Sequence, residues 1–275
     1  MSIPLSLSGK VALISGGSRG IGAATVRMFA AAGAKVVFSY QKARAQAEAL
    51  ARECGGANCH PVASNLDSPD AARALVAETV KHFGRLDILV ANHGVWPPED
   101  VAIEHMTDEQ WRSTMSINLD AVFGLVKHAV AQMKSQPRAG ITAGDDMSAR
   151  DMSSHAMSGH IVLISSTSGQ RGEAFHCDYS ATKGALISMT KGLSTELAPA
   201  GIYVNCVAPG WVDTDMSKPA LEDTQVGAKI RSTIPLGRAG RPEEIAAPVL
   251  FLCTEFAGFI TGEVFNVNGG AVLAG

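Results

Sequence analysis

The sequence predicts an α/β fold: one domain in which a doubly wound parallel sheet of about seven strands carries helices on both faces. Short apolar runs alternate with longer helical patterns along all 275 residues. The runs are apolar at consecutive positions, which is typical of strands buried on both faces, and strand–helix alternation favours a parallel sheet. No change in composition divides the chain, so residues 1–275 are assigned to a single domain.

The elements follow one another in a regular order. VALIS at 11–15 is a continuous apolar run and is interpreted as the first strand, and Gly33 is placed to end the helix that follows it at 20–33. A helix at 69–83 has apolar residues spaced by three and four. The remaining predicted strands are 35–40, 60–64, 86–92, 160–165, 202–208 and 263–268, and the remaining helices are 42–54, 107–134, 178–197 and 242–254.

Two segments break this alternation. Residues 135–159 are rich in Ser, Gly, Ala and Met and lack a sustained apolar period, which predicts a surface insertion. Residues 209–235 follow the sixth strand and mix charged with apolar residues, and we interpret 212–235 as a lid over the substrate.

Composition excludes several classes of function. The net charge is −3 and no cluster of Lys and Arg is visible, which argues against a nucleic-acid or anionic-membrane partner. The longest apolar runs are too short to span a bilayer, and the N-terminus lacks the pattern of a signal peptide. The five scattered cysteines favour reduced thiols in a cytoplasm. Cys54, Cys59 and His60 lie close together, but no second ligand pair has zinc spacing, so no metal site is predicted.

A glycine turn follows the first predicted strand. In SGGSRGIG, residues 15–22, the glycines Gly16, Gly20 and Gly22 permit a tight turn and a close approach of the backbone to a ligand. The helix N-terminus that follows offers free N–H groups and a partial positive charge to a pyrophosphate. Strand-to-helix turns also use glycine for geometry alone, and the spacing is G-x-x-x-G-x-G. The position in the first strand–helix unit nevertheless predicts a dinucleotide site.

The end of the second predicted strand favours NADP(H), although NAD(H) stays possible. An NAD site usually places an acidic residue there for the ribose 2′-hydroxyl, whereas the first carboxylate after this strand is that of Glu48. Arg19, Lys42 and Arg44 could surround a 2′-phosphate. The alternative is a solvated helix start and an arginine that caps the turn.

Tyr179 and Lys183 stand four residues apart on a predicted helix, so they share one face. A phenol titrates near ~10, and its pKa must fall by roughly three units, or about 4 kcal/mol, to exchange protons at neutral pH. An ammonium ~4 Å away supplies about 1 kcal/mol in water but about 4 kcal/mol at an effective dielectric of 20. The pair is thus predicted to work only in a partly dry cleft, and otherwise it is a helix-surface pair. Ser166, at a strand end, could donate to a substrate carbonyl there.

A series of motifs spans Lys10 to Gly270: SGGSRGIG, ANHG (91–94), SINL with Asn118, ISSTSG with Ser166, YSATK, PGWVDT (209–214), PLGRAGRPEEIA (235–246) and ITGEVFNVNGG (260–270). In these the chain resembles the short-chain dehydrogenase/reductase family, and within it most of all the 3-oxoacyl-[acyl-carrier-protein] reductases and related secondary-alcohol dehydrogenases. The resemblance implies a Rossmann fold and hydride transfer between a nicotinamide and a ketone or secondary alcohol. The substrate would be a small molecule or an acyl-carrier-protein thioester.

The resemblance also implies a role for each site residue. Tyr179 would be the general acid in reduction and the base in oxidation, Lys183 would lower its pKa and hold the nicotinamide ribose, and Ser166 would orient the carbonyl. Asn118, in a kinked long helix, would hold a water that links Lys183 to solvent. The expected cofactor-binding residues are Gly16, Ser18, Arg19, Gly20, Ile21, Gly22, Ser39, Tyr40, Lys42, Asn65, Leu66, Asn92, His93, Gly94, Tyr179, Lys183, Pro209, Gly210, Val212 and Thr214. A homotetramer, assembled through long helices and the C-terminal strand, is also implied.

Three features depart from the family pattern. Its Asn-Asn-Ala-Gly is Ala91-Asn92-His93-Gly94 here, and we interpret His93 as a packing residue rather than a catalytic one. Its acidic–apolar pair after the third strand is Asn65-Leu66, which carries no charge. The 135–159 insertion is longer than usual and should emerge at the amino edge of the sheet, where it would affect assembly more than chemistry.

The sequence does not identify the substrate. A basic docking patch for an acyl-carrier protein would have only three candidate cations, Lys218, Lys229 and Arg231. Four residues could line an apolar or aromatic pocket, or simply pack: Trp96, Phe175, His176 and Trp211. Two functions remain as alternatives to an NADP(H)-dependent reductase. One is an NAD(H)-dependent secondary-alcohol dehydrogenase, and the other is a dinucleotide sensor without turnover, which the complete catalytic set disfavours.

Overall fold

The described residues form one sheet of seven parallel strands. The structure is a computed structural model that describes residues 4–137 and 157–273. Its strands are β1 (Val11–Ile14), β2 (Lys35–Tyr40), β3 (Cys59–Ala63), β4 (Ile88–Ala91), β5 (Gly159–Ile164), β6 (Ile202–Pro209) and β7 (Val264–Val267). They lie in the order β3-β2-β1-β4-β5-β6-β7. The predicted α/β fold, a single doubly wound domain, is confirmed.

Helices connect the strands. They are α1 (Gly20–Ala31), α2 (Arg44–Glu53), α3 (Pro69–Phe83), α4 (Asp108–Met115), α5 (Ala121–Ser135), α6 (Thr167–Arg171), α7 (Cys177–Leu197), α8 (Lys218–Glu222), α9 (Thr224–Ser232) and α10 (Pro242–Leu252). The ends of α3 show how local chemistry sets the bounds. The Ser68 side chain accepts from the Ala71 N–H, Pro69 takes the first position, and Gly84 ends the helix with φ of 79°.

The core lies in two layers, one on each face of the sheet. Successive strand residues point to opposite faces, so Ala12 and Ile14 of β1 pack in one layer and Leu13 packs in the other. The first layer is covered by α1 and α10, and the second by α3, α5 and α7. Burial on both faces explains why the strands are apolar at consecutive positions.

The structure refines several predicted elements. The helix predicted at 107–134 is three pieces: α4, a π-helical segment at Ser116–Asp120, and α5. The short helices α6, α8 and α9 had no sequence prediction, because pieces of five to nine residues carry too little periodicity. The insertion predicted at 135–159 lies outside the described residues, apart from 135–137 and 157–159. Among the described helices, none has both the length and the apolar character needed to span a bilayer.

The strand order reverses at β1, which lies between β2 and β4. Open α/β sheets bind ligands outside the carboxyl ends of the strands at such a point. The loops that follow β1, β2, β4, β5 and β6 all meet at this edge.

Candidate active site

A cleft of about 350 Å³ opens at this edge. Every predicted cofactor-binding residue except Lys42 lines the cleft, and so does Ser166. Lys42 is exposed and lies outside the lining. Asn118 is fully buried behind the wall, where a Cβ added to Gly94 would lie 3.1 Å from its Oδ1 and 3.4 Å from the Nζ of Lys183. The predicted catalytic and cofactor residues are therefore brought together in one place.

Hydrogen bonds from neighbouring strand ends hold the glycine turn. Gly16 donates its N–H to the Ser39 hydroxyl at 3.0 Å, and the Nδ2 of Asn92 donates to the carbonyl oxygens of Ser15 and Gly16 at 3.1 and 3.0 Å. Gly16 has φ of 65°, and a Cβ at Gly22 would lie 2.0 Å from the Gly16 carbonyl oxygen. Side chains at either position would break the turn.

The first turn of α1 fits the phosphates of a dinucleotide. Its N-cap, Arg19, makes no side-chain cap bond, and Gly20, Ile21 and Gly22 of this turn line the cleft. Free N–H groups and the positive end of the helix dipole thus face a space that glycine keeps open.

The region expected to meet the adenine ribose carries fewer cations than the sequence suggested. Of Arg19, Lys42 and Arg44, only Arg19 lines the cleft. Its Nη1 lies 3.7 Å from Oδ2 of Asp215, and both side chains are exposed. Arg44 donates from Nε to Glu48 at 2.7 Å on the surface of α2. A 2′-phosphate would therefore have Arg19 as its cationic partner among these three residues.

The uncharged pair Asn65 and Leu66 follows β3. Asn65 accepts a hydrogen bond from Gln41 and donates one to the carboxylate of Asp67, while Leu66 is buried. The side chain of Asn65 is thus oriented by two neighbours at the edge of the cleft.

Tyr179 and Lys183 occupy one face of α7, as their spacing predicts. The Nζ of Lys183 lies 5.7 Å from the centre of the Tyr179 ring and donates to the Ile164 carbonyl at 2.8 Å. The carbonyl of Lys183 accepts from the Ser165 hydroxyl at 2.7 Å, so the end of β5 holds this residue at both its backbone and its ammonium. Ser166 follows directly and caps α6 by accepting from the Ser168 N–H at 3.1 Å.

Burial dominates the acid–base properties of this pair. It raises the pKa of Tyr179 to about 12, an effect that the hydrogen bond with Ser166 opposes and the carboxylate of Glu173 reinforces. Burial also lowers the pKa of Lys183 to about 8. The pKa of Tyr179 thus moves opposite to the direction expected from a neighbouring ammonium, because burial penalises the phenolate while the Nζ of Lys183 is turned to the Ile164 carbonyl.

Asn118 lies in the π-helical segment between α4 and α5. Its Oδ1 accepts from the Val95 N–H at 2.8 Å, and its Nδ2 donates to the Val95 carbonyl at 2.9 Å and to the Thr182 hydroxyl at 3.3 Å. The side chain therefore ties the loop after β4 to α7, one residue from Lys183. The predicted water relay has no counterpart among these bonds and stays a prediction.

His93 is held by the glycine turn. The Ser15 hydroxyl accepts from the N–H groups of Asn92 and His93 at 3.0 and 3.2 Å and lies 2.8 Å from Nδ1 of His93. The same hydroxyl lies 3.5 Å from the Val90 carbonyl oxygen, and the buried Nε2 of His93 has no hydrogen-bond partner among the described residues. Burial lowers the pKa of His93 to about 4, which agrees with a packing residue.

Several residues at the site were missed. Asp178 is fully buried and accepts from Thr114 at 2.8 Å, from Gln110 at 3.2 Å and from the N–H of Tyr179 at 2.8 Å. It fixes the start of α7 to α4, and only its position beside the tyrosine could have drawn attention to it. Glu173, in the loop before α7, also lines the cleft.

The four candidate pocket residues divide into two groups. Trp96 and Trp211 line the cleft, whereas His176 is only 2% exposed behind it and Phe175 lies outside the lining. As for metals, the described part of the chain holds no group of three or more His, Cys, Asp or Glu side chains that could bind an ion.

The chain is similar in sequence to known proteins over nearly its whole length. Residues 16–272 match the family described as enoyl-(acyl carrier protein) reductase. A 3-oxoacyl-[acyl-carrier-protein] reductase, FabG, of Aquifex aeolicus is 37% identical over 269 residues, which are 97% of this chain and 98% of that protein. FabG of Escherichia coli is 35% identical, over 98% of this chain and 100% of its own.

Solved structures show the same fold. A short-chain dehydrogenase/reductase of Brucella melitensis superposes with a TM-score of 0.85 and 33% identity, covering 99% of this chain and 100% of its own. A short chain dehydrogenase of Burkholderia cenocepacia, solved with NADP, has a TM-score of 0.82 and 31% identity over 96% and 98% of the two chains. A 3-ketoacyl-(acyl-carrier-protein) reductase of Brucella melitensis, solved with NADH, has a TM-score of 0.82 and 30% identity over 98% and 100%.

Proposed function

The chain belongs to the short-chain dehydrogenase/reductase family of NAD(P)-dependent oxidoreductases, and on this premise we propose that it is an NADP(H)-dependent reductase of ketones, working through Tyr179. One observation carries the proposal: Ser166, Tyr179 and Lys183 line the same cleft as the glycine turn. A reacting carbonyl and a dinucleotide can therefore meet in one place, and proximity alone can supply much of the barrier reduction.

The cofactor would lie along the cleft from the glycine turn to Lys183. Gly16 and the first turn of α1 would hold its phosphates, and Pro209, Val212 and Thr214, which also line the cleft, would hold the carboxamide. The bound dinucleotide supplies the hydride in reduction and accepts one in oxidation. NADP(H) is favoured because no carboxylate ends β2 and Arg19 lies at the ribose end.

The chain's own groups would handle the proton. Tyr179 would donate its phenolic proton to the carbonyl oxygen as charge develops there, and Ser166 would donate a hydrogen bond to the same oxygen. Lys183, held by Ile164, would stabilise the phenolate that remains. Asn118 would hold the loop after β4 in place against α7, so that Ser166, Tyr179 and Lys183 keep their relative positions.

Tyr179 is the proposed proton donor in reduction. Burial raises its pKa to about 12, so the phenol is almost fully protonated at neutral pH. Efficient transfer of this proton requires the pKa to fall, which positive charge beside the ring would bring about. An NAD(H)-dependent secondary-alcohol dehydrogenase ranks second, because no carboxylate ends β2. A sensor without turnover ranks third, because it has no need of a buried Lys183 held next to Tyr179.

Assembly and location are proposed with the activity. We expect a homotetramer in the cytoplasm, as the family resemblance implies. Large apolar side chains are exposed where that assembly would bury them: Trp111 and Phe123 on α4 and α5, and Phe256 and Phe259 before β7. Sedimentation would test the homotetramer, and a monomer at micromolar concentration would contradict it.

Residues 212–235, with α8 and α9, are proposed as the substrate lid.

The deciding experiment is a substrate panel followed by loss of NADPH or NADH absorbance. It contains ketones, 3-oxoacyl thioesters, and a 2-enoyl thioester that tests reduction of a carbon–carbon double bond. We expect turnover of ketones with NADPH, and a lower kcat/KM with NADH. Tyr179→Phe should abolish turnover and leave NADPH binding, measured by fluorescence, unchanged. Turnover by Tyr179→Phe equal to wild type would overturn the assignment of the proton donor.

A further inference from the structure

Two of the chain's three tryptophans meet at the cleft. Trp96 lies in the loop after β4 and Trp211 in the loop after β6. Their ring centres are 6.0 Å apart with an angle of 81° between the planes, so the rings form a corner. We call these two residues the aromatic wall. Tyr179 and Ser166 line the same cleft, so the wall borders the space where the substrate must lie.

The aromatic wall is braced from behind. The ring of Trp96 stacks on His176 with centres 4.8 Å apart and planes 13° apart. His176 is buried, and its Nε2 lies 2.9 Å from the carbonyl oxygen of Pro97, the residue next to Trp96. One imidazole thus fixes both the ring and the backbone of this loop.

The loop that supplies His176 is itself constrained. Phe175 has φ of 66°, which is uncommon for a residue with a side chain, and its carbonyl accepts from the Val101 N–H at 3.2 Å. A rigid aromatic surface loses little conformational freedom when a ligand binds, so little of the free energy of its contacts with the ligand is offset by an entropic cost.

A rigid corner of two indoles discriminates by shape. A planar aromatic group can stack on one ring and meet the edge of the other, and such pairs are worth more than the area they bury. A flexible acyl chain gains only the area term and loses rotamer freedom. The wall therefore favours a planar group over a linear chain of equal size.

Charges near the cleft argue against a carrier-bound substrate. Glu173 lines the cleft, and Arg19 is paired with Asp215 at its rim. Of the cations suggested for a docking patch, Lys218 lies 3.6 Å from Glu222 and Arg231 donates to the Leu221 carbonyl. An acidic carrier protein would meet a small patch in which Lys218 is already paired with a carboxylate.

We propose that the substrate is a small free ketone that carries an aromatic or similarly planar apolar group, held against the aromatic wall, rather than a linear 3-oxoacyl thioester. This inference rests on the proposed ketone reduction. The carbonyl carbon receives the hydride from the reduced dinucleotide and the oxygen receives the proton of Tyr179, which yields the alcohol and the oxidised dinucleotide. The wall sets which ketone is presented to these groups.

The test compares three ketones of equal carbon count with unconjugated carbonyls: benzyl methyl ketone, cyclohexylmethyl methyl ketone and methyl heptyl ketone. The acetoacetyl thioester of N-acetylcysteamine represents linear acyl substrates. With wild-type protein and NADPH, kcat/KM for the benzyl ketone should exceed that for the heptyl ketone by roughly tenfold. In Trp96→Leu and Trp211→Leu, the benzyl-to-heptyl ratio should fall by about three- to tenfold, mainly through KM.

Two controls accompany these variants. Trp111→Leu removes the third tryptophan, which is 39% exposed on α4 outside the cleft lining, and should leave the ratio unchanged. Because Trp111 is also proposed to lie at a subunit interface, sedimentation must show that this variant keeps the wild-type oligomeric state. Trp96→Phe keeps a ring at the wall and should retain most of the preference. Quenching of tryptophan fluorescence by benzyl methyl ketone in Trp111→Leu reports binding at the wall directly, whatever the rate of turnover.

The outcomes separate this inference from the proposed function. Ketone turnover without a preference for the benzyl compound, or with the thioester preferred, overturns the inference and leaves the proposed function standing. A preference that survives both leucine variants overturns it as well. No turnover of any ketone with NADPH or NADH overturns the proposed function, and the inference with it.

Discussion

The contact between α6 and α7 offers a sharp test of how the site is positioned. A Cβ added to Gly169 of α6 would lie 2.5 Å from the carbonyl carbon of Lys183 and 2.7 Å from the N of Gly184. These are backbone atoms of α7, so no side-chain rotation can relieve the overlap. Since ordinary contact begins at 3.4 Å, Gly169→Ala must separate the two helices by about 1 Å.

The expected cost follows from that displacement. Forcing an extra methyl group into a packed contact costs about 1–3 kcal/mol of stability. The carbonyl of Lys183 is held by Ser165 and its Nζ by Ile164, so a shift of α7 moves the ammonium relative to Tyr179. A misplacement of about 1 Å at a reacting centre can lower the rate by roughly 10²-fold. NADPH binding at the glycine turn, on the other side of the cleft, should change much less.

Three measurements check the reasoning: kcat at saturating substrate, the dissociation constant of NADPH, and the midpoint of urea unfolding. Gly192→Ala is the matched control, because Gly192 lies on α7, the helix that Gly169 contacts, and a Cβ there would meet nothing within 4 Å. That variant should gain about 0.5–1 kcal/mol of stability and keep its activity. Wild-type kcat and stability in Gly169→Ala would refute the reasoning, and so would an equal loss in both variants.

Three further predictions concern buried charge. The pKa of Lys183 falls from 10.5 in the unfolded chain to about 8 in the folded one, so Lys183 adds up to about 3 kcal/mol to the unfolding free energy as the pH rises from 8 to 10.5. Burial raises the pKa of Cys59, Cys206 and Cys253, which acts in the opposite direction above pH 9, so the difference in unfolding free energy between wild type and Lys183→Met is the quantity that should rise. The pKa of His160 falls from 6.5 to about 4 on burial, so stability should drop as the pH falls through this range, and less so in His160→Phe. Arg85 pairs with the buried Asp87 at 2.7 Å, and Arg85→Leu should cost about 3 kcal/mol in urea unfolding, with Arg85→Lys costing less. A difference between wild type and Lys183→Met that does not change with pH, a His160→Phe variant that loses as much stability in acid as wild type, or an Arg85→Leu variant as stable as wild type would contradict these expectations.

The features that could be predicted from the sequence are those that depend on the spacing of residues within a short segment. Apolar runs mark strands buried on both faces, and the glycines of 15–22 mark a turn that leaves no room for a Cβ at Gly22. Tyr179 and Lys183 share a helix face because they are four residues apart. Each of these follows from the geometry of a short segment, which the rest of the fold need not supply.

The features that were missed depend on which crossovers bring distant segments together. Trp96 and Trp211 were both candidates for a pocket, but their contact was not predicted, because it exists only where the loops after β4 and β6 reach the same sheet edge. Asp178 can fix the start of α7 only because α4 places Thr114 beside it, within hydrogen-bonding distance. Pairings of this kind have no signature in one sequence, since any of many polar or aromatic residues could have been the partner.

The pKa of Tyr179 shows why even a correctly read spacing leaves the chemistry open. Spacing predicts that an ammonium stands near the phenol, and Coulomb attraction by itself lowers the phenol's pKa. Burial lowers the local dielectric, which strengthens the attraction between phenolate and ammonium, but burial also removes the phenolate from water. Which effect is larger depends on the distance between the ammonium and the phenol. At 5.7 Å from the ring centre, with the ammonium turned to Ile164, desolvation prevails and the phenol stays protonated. In the proposed reaction, Tyr179 would therefore start as the neutral phenol, and its phenolate would be stabilised only when positive charge is present beside it.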